Sequence, residues 1–491
     1  MYYLQQVTCA SVGAILVLLG LTFPYYWSKI LMVLVERDLV LSPTSKSYGI
    51  WEGTPVPITM DFYFWNWTNS EHLYTQKPAF VELGPYRFRE FHQKENISWN
   101  DNGTVTFQMK RTWFFDEEYS NGTLDDKVTT LNAIAMTAAH TVRDWSFFYK
   151  GGLSLTLSAT EQEVSINRRV GELLFEGYTD KLIDIARTLP QFSGVDIPFD
   201  RFGWFYKMNE STMMDGTVTM NTGKYNIRDI GQIEAWNYNN KTKFFDGQCS
   251  ELKGSAGELY PPGVKKESLT LFSTNLCRSV TFGYTDDQVV HGITGHRFTG
   301  GSEMIDNGTL YPDQECFCGG ECLPSGVINV TACRYGAPAF ASFPHFHLAD
   351  PIYRDAVDGM KPDPNKHTFY INLDPVTGVP LDIRARLQIN ILMRPVKSIG
   401  LFKDVPEVMV PMLWFEQSGT LTTDLAFELR TLLFLFTIDF YIAFVIAMSG
   451  FSLLVYTALT FPKKLKEKQS IELSLDCDEI TSLRTGTKIL P

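Results

Sequence analysis

The sequence predicts a mixed, β-rich ectodomain with a helical insert, held between two transmembrane helices. Three observations carry that expectation. Each end of the 491 residues holds an apolar run, the middle is built of short aromatic and β-branched runs, and eight N-glycosylation sequons are confined to that middle.

The C-terminal run, Thr431 to Phe461, is followed at once by Pro462 and by four lysines, Lys463, Lys464, Lys466 and Lys468. A bilayer core needs about 20 apolar residues as helix, and Phe440 to Phe461 supplies them without a charge. Asp439 falls just before that window. A carboxylate at the bilayer centre costs about 2.5–3.5 kcal/mol, so Asp439 is expected at the outer headgroup level. The lysines mark their side as cytoplasmic, which makes 431–461 a transmembrane helix with its outer approach and 462–491 a cytoplasmic tail. Residues 7–26 form the other span, after a cytoplasmic 1–6. A cleaved signal peptide is the competing reading, but no Lys or Arg precedes this run and no small-x-small cleavage site follows it. Lys29 and Arg37 oppose the topology, and the stronger lysine cluster decides it.

Residues 27–430 are then extracellular or lumenal. The sequons lie there, at Asn66, Asn96, Asn102, Asn121, Asn209, Asn240, Asn307 and Asn329. So do six of the eight cysteines, Cys249, Cys277, Cys316, Cys318, Cys322 and Cys333, an even number suited to an oxidising compartment. Cys9 and Cys477 fall at or inside the membrane, and Cys477 reads as a free thiol. A net charge of -12 argues against nucleic-acid partners.

In chain order, the stretch from Lys29 to Leu41 reads as helix leaving the membrane. From Ile58 to Phe115, runs such as DFYFWNWT, PYRFREF and TVTFQMKRTWFF read as antiparallel strands, with a hairpin at Asp101-Asn102-Gly103. Helical spacing then appears at Val128, Leu131, Ile134, Ala135, Ala138, Val142 and Trp145, and again at Val170, Leu173, Leu174, Tyr178, Leu182, Ile185 and Leu189. Such an insert, about 125–190, either carries binding or caps the strands. Exposed aromatics in Trp145-Ser146-Phe147-Phe148-Tyr149 would favour binding. Beyond Pro190 strands resume through QIEAWNYN, SLTLFST, CRSVTFGYT, HTFYINL, IRARLQINILM and VPMLWFE. About 400 residues exceed the usual single core, so two lobes or an internal cavity are expected.

No Gly-x-Ser-x-Gly, His-Glu-x-x-His, phosphate loop or dinucleotide fingerprint occurs, which lowers the expectation of an enzyme. His345 and His347 lack a second Cys/His pair at metal spacing and read as structural. Cys316, Cys318, Cys322 and Cys333 imitate a zinc site, but outside the cell disulfides are expected, with 15 pairings open for six cysteines.

The stretch from Cys316 to Tyr353 resembles the class B scavenger receptor family, relatives of the platelet fatty-acid translocase, the lysosomal integral membrane protein type two, the insect sensory neuron membrane proteins and croquemort. Further blocks match in order: Gly84–Glu90, Asp116–Glu118, Pro261–Gly263 leading to Cys277–Ser279, Asp374–Gly378, Arg386–Asn390 and Pro411–Phe415. The resemblance implies a large antiparallel β-barrel ectodomain crossed by an apolar tunnel and topped by an apical helical bundle. It also implies bridges Cys249–Cys316, Cys277–Cys333 and Cys318–Cys322.

As a function it implies a plasma-membrane receptor that is not an enzyme and needs no cofactor. Such a receptor takes lipids, fatty acids, sterols, lipoproteins or lipid-displaying particles and passes lipid through the tunnel. Phagocytosis of apoptotic or microbial surfaces, and lysosomal trafficking of a protein cargo, are the alternatives, and homo-oligomers are compatible with all three. The lysine pair of lipoprotein-binding members is replaced here by Ala159-Thr160-Glu161-Gln162-Glu163. Arg168 and Arg169 are candidate substitutes, and Phe147, Phe148 and Arg334 are the other candidate ligand contacts. The tail sequence Glu479-Ile480-Thr481-Ser482-Leu483-Arg484 breaks the acidic dileucine signal at its last place, which favours the cell surface over endosomes or lysosomes.

Overall fold

A computed structural model describes residues 2–188 and 198–485. The Leu189–Pro190 end of the expected insert lies outside the described residues, as do the side chains of Cys477 and of Glu479–Arg484. Two compact units result, Met1–Arg37 with Phe427–Pro491, and Asp38–Ala426.

The first unit is a helix pair. Helix α1 spans Tyr2–Leu39 and the C-terminal helix, α8, spans Thr423–Thr485, both longer than the expected 7–26 and 431–461. Nothing between Trp27 and Leu39 breaks helix, and Pro24 and Pro462 are both absorbed within it. Leu4–Leu39 and Thr423–Thr460 are each long and apolar enough to cross a membrane. The two helices touch backbone to backbone, since a Cβ on Gly450 would lie 2.6 Å from Gly13 O and one on Gly20 2.7 Å from Ala447 N. Asp439 is buried in this contact, where its carboxylate accepts a hydrogen bond from Ser28 Oγ at 3.1 Å. Trp27 Nε1 donates to Leu435 O at 2.9 Å. The charge placed at a headgroup level by sequence is thus answered by a hydroxyl on the other helix.

The second unit is a 13-stranded sheet. Strands β1 (Ile58–Trp67), β2 (Phe80–Trp99) and β3 (Thr104–Phe115) form a meander, extended by β6 (Thr217–Asn221) and β7 (Ile233–Trp236). From the other side of β1 run β15 (Val408–Thr420), β14 (Pro380–Met393), β13 (Tyr370–Leu373), β10 (Ile293–Gly300), β9 (Arg278–Val290) and β8 (Ser268–Ser273). β12 (Ala339–Ser342) pairs with β14 and carries β11 (Ile328–Asn329). All these pairings are antiparallel. The β2–β3 hairpin turns at Asn100–Gly103, where Gly103 adopts φ 78° and Asn100 N–H bonds Thr104 O at 2.9 Å.

The free edges of β7 and β8 are joined by three residues. Ile233 N–H bonds Gly254 O at 3.0 Å and Ala256 N–H bonds Gly231 O at 2.8 Å. On the other side, Ser255 N–H bonds Thr270 O at 3.0 Å and Phe272 N–H bonds Ser255 O at 2.8 Å. The sheet is thereby nearly closed into a barrel, and these four edge groups are satisfied. Gly254 has φ +82°, and a Cβ there would lie 2.1 Å from Thr270 O.

Large aromatic side chains lie in the buried core among aliphatic ones. Phe62, Phe64, Trp65, Phe282, Phe298, Phe343, Phe346 and Phe402 are all fully buried. Among them runs a polar line along β14: Gln388 accepts from Trp65 Nε1 (3.1 Å) and His345 N (3.0 Å) and donates to Asn390 Oδ1 (2.8 Å).

The insert is less helical than its periodicity suggests. Val128 and Leu131 belong to β4 (Lys127–Leu131), which pairs with β5 (Ser165–Arg169). Helices α3 (Ala133–Thr141) and α4 (Phe147–Ala159) follow β4, and α5 (Lys181–Thr188) follows a π-helical turn at Glu172–Glu176. Of the remaining helices, α2 is Lys46–Glu52, α6 Pro351–Asp355 and α7 Pro364–His367. Pairing across β4 and β5 overrode the helical spacing of Val128 and Leu131.

Gly254→Ala is expected to destabilise the barrel by about 2–4 kcal/mol, because both the φ and the Thr270 carbonyl oppose a side chain. A drop of the melting temperature in scanning fluorimetry checks this. An unchanged melting temperature would show that the seam does not hold the barrel closed.

Candidate functional site

The insert presents the most exposed phenylalanines among the described residues of the folded body. Asn132 caps α3 by accepting from Ala135 N at 3.1 Å, while its amide donates to Gln162 Oε1 and Glu163 O. This fixes the loop that returns from α4. Helix α4 buries only Leu157 fully, and at its start Phe147 and Phe148 are 70% and 86% exposed, with Leu155 at 74% one helical face along.

The expected cations lie near but are engaged. Arg169 meets Asp125 (2.8 Å), Glu176 (2.7 Å) and Glu172 (3.8 Å). The Arg168 guanidinium stands 4.8 Å from the Tyr178 ring, over its face. Glu161 and Glu163 are exposed between α4 and β5. Arg334 is an exposed residue beside Cys333, with Nη2 donating to Asn275 O at 2.5 Å.

The six ectodomain cysteines stand as Cys249–Cys316, Cys277–Cys333 and Cys318–Cys322, with Cα separations of 6.0, 6.5 and 4.8 Å. Of the sequon asparagines, Asn96, Asn102, Asn121, Asn209 and Asn240 are exposed. Asn66, Asn307 and Asn329 are half-buried, with the amides of the last two donating to Leu323 O and Cys318 O.

His345 lies in the barrel. Its Nδ1 accepts from Lys361 N (3.0 Å), so Nε2 carries the proton and donates to Glu82 (2.9 Å), which also accepts from Trp414 Nε1 (2.7 Å). Burial pushes Glu82 upward, but the hydrogen bonds from His345 and Trp414 outweigh it and hold the carboxyl below its usual value. His367 stacks on His345 at 4.2 Å, and burial, then the neighbouring imidazole, pushes it down to about 3. No group of three or more potential metal ligands exists among the described residues. Elsewhere in the barrel wall, Glu90 accepts from Arg111 (2.9 Å), Gln417 (2.7 Å) and the His92 ring. These contacts overcome burial and hold Glu90 at about 2.

The two best-formed cavities among the described residues measure about 540 and 20 Å³, and neither is an apolar passage. The larger is lined by Arg143, Asp144, Lys150, Glu321, Arg394 and Lys397, with Pro395 and Val396. The sequence reading missed this basin. The basic residues flanking the aromatic run 145–149, Arg143 and Lys150, were the available signal, but Arg394 and Lys397 come from 250 positions away.

A nearly closed antiparallel barrel carrying an exposed aromatic pair, in a chain whose two terminal helices are long and apolar enough to cross a membrane, fits the class of two-pass membrane receptors. The chain belongs to the CD36 family, whose model matches residues 11–461. It is 38% identical to Protein peste of Drosophila melanogaster over 86% of this chain and 77% of that protein. It is 36% identical to Scavenger receptor class B member 1 of Cricetulus griseus, over 84% and 80%, and 30% identical to Lysosome membrane protein 2 of Homo sapiens, over 81% and 82%.

Two buried histidines set a pH dependence. His140 is pushed down to about 4, by burial and then by Arg143 and Arg394, and His367 to about 3. Unfolded, both would titrate near 6.5, so the unfolded chain takes up protons first as pH falls from about 6.5 toward 3–4, and stability is lost over that window. Glu90 keeps its contribution there until pH falls below about 4.5. The melting temperature at pH 5.0 is expected to lie below that at pH 7.4, with the gap narrowed in His367→Gln. Equal gaps in both proteins would refute the assignment to His367.

Proposed function

We propose that the chain is a cell-surface receptor that binds lipids, lipoproteins or lipid-displaying particles and passes lipid through its barrel to the membrane. The observation that carries this reading is the exposed pair Phe147 and Phe148, since large apolar side chains held in water together mark a contact surface. Membership of the CD36 family supports it. Contact belongs to these rings first, because carboxylates already answer Arg169 and Arg168 lies over Tyr178. Arg334 is the proposed partner of a fatty-acid carboxylate.

Passage draws on the aromatic interior. Each methylene kept from water is worth about 0.8 kcal/mol, so an acyl chain gains by moving along apolar side chains rather than through solvent. The side chains of the buried core have to part for it, and no nucleotide or metal is required.

Cells expressing the full chain are given lipoprotein labelled separately in lipid and in protein. Lipid label entering in excess of protein label is expected, and Phe147→Ser with Phe148→Ser should lower particle binding about tenfold. Equal entry of the two labels would leave docking and endocytosis only. Capture of apoptotic cells without lipid entry would favour the phagocytic reading. Arg334→Ala should weaken fatty-acid binding alone, and unchanged fatty-acid binding would remove that residue from the site.

A further inference from the structure

The 540 Å³ basin beside α4 brings four cations, Arg143, Lys150, Arg394 and Lys397, against two lining carboxylates, Asp144 and Glu321. Arg143 pairs with Asp144 at 3.2 Å and donates from Nη1 to His140 Nε2 at 2.7 Å. Lys150 Nζ spends one donor on Arg143 O at 3.1 Å, and Lys397 has no ion pair among the described residues. Because a guanidinium can only donate, His140 Nε2 accepts and its proton sits on Nδ1. That Nδ1 and Arg394 Nε are buried donors without a partner among the described residues. A cavity lined by four cations and two carboxylates, with one buried donor of the lining residue Arg394 unanswered, calls for an acceptor-rich anion.

Glu321 now plays that part. It sits inside the small loop Gly319-Gly320-Glu321 closed by Cys318–Cys322 and holds Arg394 through both carboxylate oxygens, at 2.9 and 3.0 Å, while Glu407 takes a third contact at 3.3 Å. Glu321 is largely exposed at 59% while the Arg394 side chain is only 15% exposed, so an incoming anion reaches that guanidinium by displacing Glu321. Lys150 lies three residues beyond Phe147 on the same helix, which places cation and exposed ring on one face.

We propose that this basin binds the phosphate oxygens of an anionic ligand, with Glu321 as its built-in competitor. Phosphate fits better than a lone carboxylate because several donors converge on a volume larger than one carboxylate fills. Resting on the receptor reading above, the ligand's hydrocarbon lies against Phe147 and Phe148.

The full chain in phosphatidylcholine nanodiscs is titrated with dihexanoyl phosphatidylserine, dihexanoyl phosphatidylcholine and glycerophosphoserine. The anionic lipid is expected to bind more tightly than the zwitterionic one, with affinity falling as salt rises. Arg143→Gln with Lys397→Gln should lower that affinity about fivefold and leave phosphatidylcholine unaffected, whereas Glu321→Gln should raise it. Arg143→Lys with Lys397→Arg should retain binding, which guards against a folding artefact. If glycerophosphoserine binds as tightly as the lipid, the site stands and its ligand is a soluble phosphate ester. No preference for the anionic lipid, or no response to either Arg143→Gln with Lys397→Gln or Glu321→Gln, would overturn the proposal. Particle capture measured on the same variants separates the two readings. Capture without charge dependence removes only the basin, and loss of all capture by the unmodified chain removes the receptor.

Discussion

Closure of the sheet is the constraint on which the folded body depends. Eleven strands in one antiparallel path leave two long edges, and an open edge exposes a row of unpaired amides and carbonyls. Here the edges of β7 and β8 never meet directly. The Gly254–Ala256 segment lies between them and bonds to both, which only a residue without a side chain at 254 permits. Because the barrel is nearly closed, aromatic and aliphatic side chains can be buried together in its core, and the polar line of Gln388, Asn390 and His345 can be satisfied among them.

The insert shows how charge and apolar surface are divided. Phe147, Phe148 and Leu155 stand in solvent, while the arginines expected to serve ligands, Arg168 and Arg169, hold the insert together. Cations with spare capacity gather instead at the basin, where the loop after β14 meets the turn before α4. On the proposed reading, an exposed aromatic pair and the polar basin beside it, rather than one basic helix, meet the ligand.

The helix pair obeys different rules. Between two apolar helices there is no water to drive association, so close backbone approach at Gly13, Gly20 and Gly450 and a few polar links do the holding. Asp439, which a hydropathy reading can only push toward the headgroups, is tolerated because Ser28 donates to it.

The amino-acid pattern by itself determined the two apolar helices, the strand runs of β1, β2, β3, β14 and β15, the Asn100–Gly103 hairpin and the aromatic run at 145–149. These depend on local composition and on periods of two or four residues, which any short window displays. It missed β10, which pairs with its neighbour β9 across a tight turn, because Gly295 and Gly300 dilute the strand pattern. It could not determine that Val128 and Leu131 would pair as strand or that Gly254 would be the seam, because their partners, β5 and Thr270, lie beyond a short window. The basin was hidden for the same reason. Arg143 and Lys150 are ordinary surface cations until folding brings Arg394, Lys397 and the Cys318–Cys322 loop against them, and only then does their charge acquire a shape.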